Sequence, residues 1–328
     1  MRRAMAEAEV GDEQYGEDPT ITRLCARVCD LLGAEDAVFL PSGTMANEIA
    51  ILVHCRPGDE IVADASAHIV HFEAGGPAAL AGAMIRPIAG KRGIFTAADL
   101  AAAIRPESRY APRTRLVEVE QTANLGGGTV WPLDQLRAVV ATAHAHGLAL
   151  HMDGARLMNA VVASGVPAAE YARGFDTVWL DFSKGLGCPV GAVLAGKRQH
   201  IAEAWRWKQR IGGALRQAGI LGAACLYALD HHVERLAQDH ANARMLADGI
   251  AALPGVAVEP VDTNIVFFDV AGTGKTGDAI ARELARRGVR MGAMTATRMR
   301  AVTHLDVPAA AIPEVISALA DVLRGRGS

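Results

Sequence analysis

The chain is short of lysine, of cysteine, of net charge and of long apolar runs, and each shortage excludes something. Of 33 basic residues among 328, only five are lysines: Lys91, Lys184, Lys197, Lys208 and Lys275. A formal net charge of -3 offers no basic footprint for nucleic acid and no cationic face for a membrane. The five cysteines are an odd number, and only Cys25 and Cys29, in an apparent helix, lie near each other. They make neither a disulfide framework nor a zinc spacing and suit a reducing compartment. No apolar run approaches the roughly 18 residues of a membrane span. The opening Met1-Arg2-Arg3-Ala4-Met5 begins a polar stretch without an apolar signal core. No internal repeat or low-complexity tract is present. These absences describe a soluble, cytoplasmic protein with no nucleic-acid or membrane partner.

What is present suits a large core: 51% of residues are hydrophobic and 21% charged. Over the first two thirds, short apolar runs alternate with helical patterns. Strands are predicted at Ala37 to Leu40, Glu60 to Ala63, Met84 to Ile88, Leu116 to Glu120, Ala149 to Met152, Thr177 to Asp181 and Ala192 to Ala195. Helices are predicted at Thr44 to Cys55, Ala97 to Ala103 and Leu133 to Ala145, with one long stretch from Gln199 through Val233. Strands separated by helices predict an α/β fold, a mostly parallel sheet with helices on both faces. From Glu234 the style changes. A helical region to Leu253, strands at Val256 to Val258, Asn264 to Asp269 and Met299 to Thr303, and helices at Thr276 to Arg287 and Ile312 to Leu323 predict a small α+β domain. The expected organisation is a large domain over 1–233 and a small one over 234–328.

Three segments carry chemistry, because each ends a predicted strand, where open α/β sheets bind ligands. In Leu40-Pro41-Ser42-Gly43-Thr44, free amides and a hydroxyl converge at a helix N-terminus, the geometry of a phosphate cup. The plain alternative is a capped strand-to-helix turn. In His151-Met152-Asp153-Gly154-Ala155-Arg156, a carboxylate ending a buried strand costs free energy unless it meets a cation. A pyridinium nitrogen is such a cation, and Arg156 suits a substrate carboxylate. The alternative is a structural Asp–Arg pair. In Asp181-Phe182-Ser183-Lys184-Gly185-Leu186-Gly187, a lysine leaves an apolar strand into a turn of small residues. Burial there would lower its pKa and free the amine for imine formation. The other lysines sit in a Gly-Lys-Arg-Gly turn, beside Arg198, or on a helix among tryptophans.

Lys275 lies in Gly272-Thr273-Gly274-Lys275-Thr276, but a P-loop requires glycine where Asp269 stands, so a turn capping the next helix is expected. His68 and His71, with Glu73 following, suggest a metal site only weakly; one histidine is expected to be functional, the other packing, with no metal. His144 and His146 are expected at the surface.

The three segments together resemble the threonine aldolase family of fold type I pyridoxal-phosphate enzymes, within the β-eliminating lyase superfamily. Further stretches that carry the resemblance are Tyr15-Gly16-Glu17-Asp18-Pro19-Thr20, Phe72-Glu73-Ala74-Gly75-Gly76, Gly212-Gly213-Ala214-Leu215-Arg216 and Val302-Thr303-His304-Leu305-Asp306. The resemblance implies that Lys184 carries pyridoxal 5'-phosphate as a Schiff base, Asp153 holds the pyridine nitrogen, and Ser42, Gly43 and Thr44 bind the phosphate. It implies that Arg216 reaches the phosphate from a neighbouring subunit of a homodimer or homotetramer. His68 would stack on the ring and act as a base, and Arg156 with Arg300 would hold the substrate carboxylate. The implied reaction is cleavage of L-threonine, L-allo-threonine or a related β-hydroxy-α-amino acid to glycine and an aldehyde. The alternatives are a β-eliminating lyase and a catalytically weak cofactor-binding homologue. Two departures stand out. The family's Arg-Ser-Asp-Thr segment before the first helix is missing, so the N-terminal segment reads as shortened. Ala123 replaces a second active-site histidine, which is expected to widen the pocket near Cβ and admit bulkier, phenylserine-like substrates.

Overall fold

The computed structural model describes residues 1–325, so positions 326–328 of the expected small domain lie outside the described residues. The chain divides into two compact units. One comprises Met1–Gly126 and Val130–Val233; the other comprises Gly127–Thr129 and the chain from Glu234 on. The tripeptide Gly127–Thr129 therefore leaves the stretch assigned to the large domain, and Thr263 Oγ1 holds it by donating to the Gly128 carbonyl (2.9 Å).

Seven strands build the sheet of the first unit: β1 Asp36–Leu40, β2 Glu60–Asp64, β3 Met84–Ile88, β4 Thr114–Glu120, β5 Ala149–Gly154, β6 Thr177–Asp181 and β7 Ala192–Gly196. Their order is β1-β7-β6-β5-β4-β2-β3. The pairs β2–β3, β2–β4, β4–β5 and β5–β6 are parallel, while β7 runs antiparallel to β6 and to β1. Side chains of a strand alternate between faces, yet β2 and β6 are buried at every position. Both faces of the sheet are therefore covered, as a mostly parallel sheet requires. One core cluster gathers Val38, Leu40, Ile49, Trp179 and Leu194; another gathers Ile51, Ile61, Ala63 and Leu116.

The helix Pro19–Leu32 shows how local chemistry sets an element. The Asp18 carboxylate accepts from the Thr20 and Ile21 amides, Pro19 occupies the first turn, and Gly33 ends the helix in a left-handed conformation. Ile21, Leu24, Val28 and Leu32 then bury one face at helical spacing. The long helix expected from Gln199 through Val233 is instead two, Arg198–Arg210 and Gly219–His231. Consecutive glycines are poor helix formers, and the chain turns at Gly212 and Gly213. The Glu13 carboxylate accepts from the Leu215 amide (3.1 Å) in that turn.

The second unit has a four-stranded antiparallel sheet, ordered β10-β11-β9-β8, from β8 Ala257–Val258, β9 Ile265–Asp269, β10 Gly292–Ala293 and β11 Arg298–Val302. Helices Leu236–Ala251, Gly277–Arg286 and Ala311–Arg324 bury Leu246, Ile250, Ile280 and Leu319 against Val266 and Phe268. Thr276 caps its helix by accepting from the Ala279 amide, as expected of this turn. Among the described residues no helix is long and apolar enough to cross a membrane.

Candidate active site

The carboxyl ends of four neighbouring strands of the first unit each carry an acid: Asp64 on β2, Glu120 on β4, Asp153 on β5 and Asp181 on β6. Glu120 stands opposite Asp153 in the β4–β5 register. All four are buried. Burial, then the charge of Asp153, pushes Glu120 and the neighbouring Glu118 well above the usual carboxylate range. Burial also raises Asp153, opposed by hydrogen bonds from Asn47 and the Ala155 amide. A cluster this acidic and this dry calls for cations, and a cationic ring over Asp153 would satisfy that need.

Three cationic or basic side chains stand here. Arg156, at the N-terminal end of helix Leu157–Ser164, is buried; desolvation depresses its pKa while the charges of Glu120, Asp181 and Asp153 oppose the shift. Lys184 Nζ lies 3.3 Å from Asp181 Oδ2. The buried lysine expected here is not what forms: its side chain is 41% exposed, because the turn after β6 carries it off the strand into the open. The lysine that is fully buried is Lys208, whose pKa burial depresses, and it is committed to an ion pair with Glu13. His68 Nδ1 is 2.8 Å from Glu73 Oε1. His71 instead bonds the Ala65 carbonyl through Nε2 (2.7 Å) at the surface, and is not the packed histidine expected. Glu73, not His71, is therefore the partner of His68, and the ligand atoms of His68, Glu73 and Asp153 lie within 4.8 Å of one another.

Ser42, Gly43 and Thr44 open helix Gly43–His54, where Ser42 Oγ accepts from the Met45 amide (3.2 Å). A Cβ at Gly43 would overlap the Trp179 ring, so glycine is required there. Asn47, one turn in, reaches from this cup to the acids: Nδ2 donates to Asp153 Oδ2 (2.8 Å) and to Glu73 Oε1 (2.7 Å).

Arg216 lies in the turn between Arg210 and Gly219, exposed, and pairs with Asp12 (2.7 Å), whose hydrogen bond and then charge raise its pKa. Arg300 stands on β11, in the second unit. Ala123 does not open a wider pocket: it is 1% exposed, and a Cβ at Gly93 would overlap its methyl group. The Arg92–Gly93 turn fills the space, held by Arg92 Nε donating to the Gly126 carbonyl (3.1 Å).

Sequence reasoning did not single out Asn47, Glu73, Glu120 or Asp181 as site residues. A polar residue inside an otherwise apolar helix, as in Asn47-Glu48-Ile49-Ala50-Ile51-Leu52, was the available signal for the first. Glu48 follows from it. Burial and then the Glu73 charge push its carboxyl up to about 8. An acid whose pKa is raised on folding costs stability as pH climbs from its unfolded to its folded value. Glu48→Gln is therefore expected to match the parent near pH 4.5 and to gain steadily in Tm over it up to about pH 8. A pH series of thermal melts checks this; a constant difference would refute it.

Residues 1–273 match the model of the family described as beta-eliminating lyase. The chain is 40% identical over 316 residues to the low specificity L-threonine aldolase of Escherichia coli strain K12, covering 96% of this chain and 92% of that one. It is 38% identical over 325 residues to a probable low-specificity L-threonine aldolase of Arabidopsis thaliana, covering 97% and 91%. The solved threonine aldolase of Leishmania major superposes with a TM-score of 0.82 at 23% identity, over 98% of this chain and 94% of that one.

Proposed function

The chain belongs to the beta-eliminating lyase family, and we propose that it is a pyridoxal-phosphate-dependent aldolase that cleaves L-threonine, L-allo-threonine and related β-hydroxy-α-amino acids to glycine and an aldehyde. The observation that carries this reading is Asp153, a buried carboxylate among further acids, tied by Asn47 to the first turn of helix Gly43–His54. Anion cup, ring-nitrogen partner and the Lys184 amine beyond the next strand end are what this cofactor requires. The residues fit it: the cup amides suit a phosphate, and Asp153 suits a pyridinium.

Bound there, pyridoxal phosphate supplies an electron sink for the charge left at Cα. Lys184 would hold it through its amine. Arg156 would hold the substrate carboxylate so that the Cα–Cβ bond is aligned for cleavage. His68 takes the β-hydroxyl proton, directly or through water. Glu73 accepts from Nδ1–H, leaving Nε2 as the basic nitrogen. Asp153, its two oxygens held by the Asn47 amide and the Ala155 backbone N–H, would face the ring nitrogen, whose positive charge would favour the ionised carboxylate. On the same reading the enzyme works in the cytoplasm, in keeping with five unpaired cysteines. It forms a homodimer or homotetramer in which exposed Arg216 serves the neighbouring site, and it couples a large cofactor domain to a small C-terminal one.

Incubation with a panel of β-hydroxy amino acids is expected to yield glycine and the matching aldehyde in equal amounts. Release of pyruvate and ammonia instead would make it an eliminating lyase and overturn the aldol reading. Because the Arg92–Gly93 turn occupies the space beside Ala123, Ala123→His is expected to lower stability by about 1–3 kcal/mol and to bring no gain in turnover. A stable, faster Ala123→His variant would show that the turn yields to the ring.

A further inference from the structure

Asn47 is completely buried, and all four of its side-chain hydrogen-bonding positions are used. Oδ1 accepts from Trp179 Nε1 (2.6 Å) and lies 3.0 Å from His151 Nε2, while Nδ2 donates to Asp153 Oδ2 and Glu73 Oε1. An indole nitrogen can only donate, which fixes the orientation of the amide. The rest of the network then has one direction. His151 must donate from Nε2, so its Nδ1 is bare and accepts from the Thr177 hydroxyl (2.9 Å). That hydroxyl has a single proton, so Thr177 Oγ1 in turn accepts from His54 Nε2 (3.0 Å). Both rings are neutral, since burial depresses each pKa to about 3.

We propose that Asn47 is a positioning residue whose amide aims two carboxylates at once, Asp153 toward the cofactor ring nitrogen and Glu73 toward His68, with the Trp179–His151–Thr177–His54 network behind it locking the amide. The proposal rests on the cofactor reading above and adds a device to it. The ring-nitrogen partner and the partner of the candidate base share one donor group, so neither carboxylate can rotate without disturbing the other. The device lies wholly beneath the site and touches no substrate. Its loss is expected to act through cofactor affinity and kcat rather than KM.

The test compares Asn47→Ala and Asn47→Asp, reading the dissociation constant for pyridoxal phosphate, kcat and KM. Asn47→Asp preserves shape, but beside Asp153 and Glu73 its carboxyl either repels both when ionised or donates to only one of them when protonated, so it cannot aim the pair. Both variants are expected to bind pyridoxal phosphate at least about tenfold more weakly and to lose at least about tenfold in kcat, with KM within about twofold. An Asn47→Asp enzyme within twofold of the parent in affinity and kcat overturns the proposal. A second measurement is made on the parent protein and does not need the Asn47 variants to fold. Nitrogen-15 NMR of the cofactor-free parent, with the His151 signal identified by its loss in His151→Gln, is expected to show the Nε2–H tautomer. The Nδ1–H tautomer refutes the network. Failure of the parent to bind pyridoxal phosphate would instead remove the cofactor reading, leaving the tautomer result standing on its own.

Discussion

Lys184→Ala is expected to abolish the absorbance of the lysine-bound cofactor and to cut aldol cleavage by on the order of 10²–10⁴-fold or more. No other lysine is placed to substitute for it. Lys208 is sealed in the interior against Glu13, and Lys197 pairs with Asp176 (3.0 Å) at the opposite end of β6. Lys275 and Lys91 lie in turns, Lys275 in the second unit. Lys184, by contrast, stands three residues beyond the Asp181 carboxylate, in reach of its charge and open enough for a cofactor to approach. Its exposure changes what the site must do. The side chain stands open in the free protein, so a bound ligand would have to cover it. Absorbance titration with pyridoxal phosphate and a glycine-release assay read the two effects. A variant that keeps either one removes Lys184 from its assigned place.

Asp153→Asn is expected to have the next largest effect, and in opposite directions for the two states of the protein. The amide keeps the shape of the carboxylate and can still accept from the Ala155 amide (2.9 Å), but its NH2 then faces the Asn47 Nδ2 donor and that hydrogen bond is lost. The larger loss is the negative charge that a cationic ring would meet in a dry site. Removing one member of such a buried pair costs about 3–5 kcal/mol, which corresponds to cofactor binding weaker by two to three orders of magnitude or more. Without cofactor the sign reverses. Asp153 is raised on folding, so its ionised form opposes folding once pH exceeds the unfolded value, and this opposition grows toward the folded value. The cofactor-free variant is therefore expected to be at least as stable as the parent at neutral pH. Thermal melts with and without pyridoxal phosphate separate the effects: the cofactor-induced rise in Tm should shrink while the baseline holds. An undiminished rise would show that Asp153 does not face the cation.

Much of this site was legible because the signals are local. Strand ends are visible as apolar runs that stop, and a functional group on a strand end is a single residue at a known place. Hence Ser42, Gly43 and Thr44 at a helix start, Asp153 at a strand end and Lys184 beyond one are candidates by position alone, and the structure puts each at that place. The same locality misled where packing overrides it. The apolar approach to Lys184 suggested burial, yet the turn after β6 exposes it, while Lys208, on a helix that looks like a surface, is the one sealed away. Ala123 suggested room, yet a turn some thirty residues earlier in the chain fills it.

By itself, the sequence determined the alternation of strands and helices, the strand-end acid and amine, and the family they imply. These follow from periodicity and from the few residue types that can do such chemistry. Only the tertiary structure decided how the acids share their protons and donors. Asn47 meets Asp153 across 106 residues and Trp179 across 132. The carboxylates converge only because parallel strands far apart in the chain end side by side. A hydrogen bond's direction depends on every partner present at once, and those partners come together only when the sheet has formed.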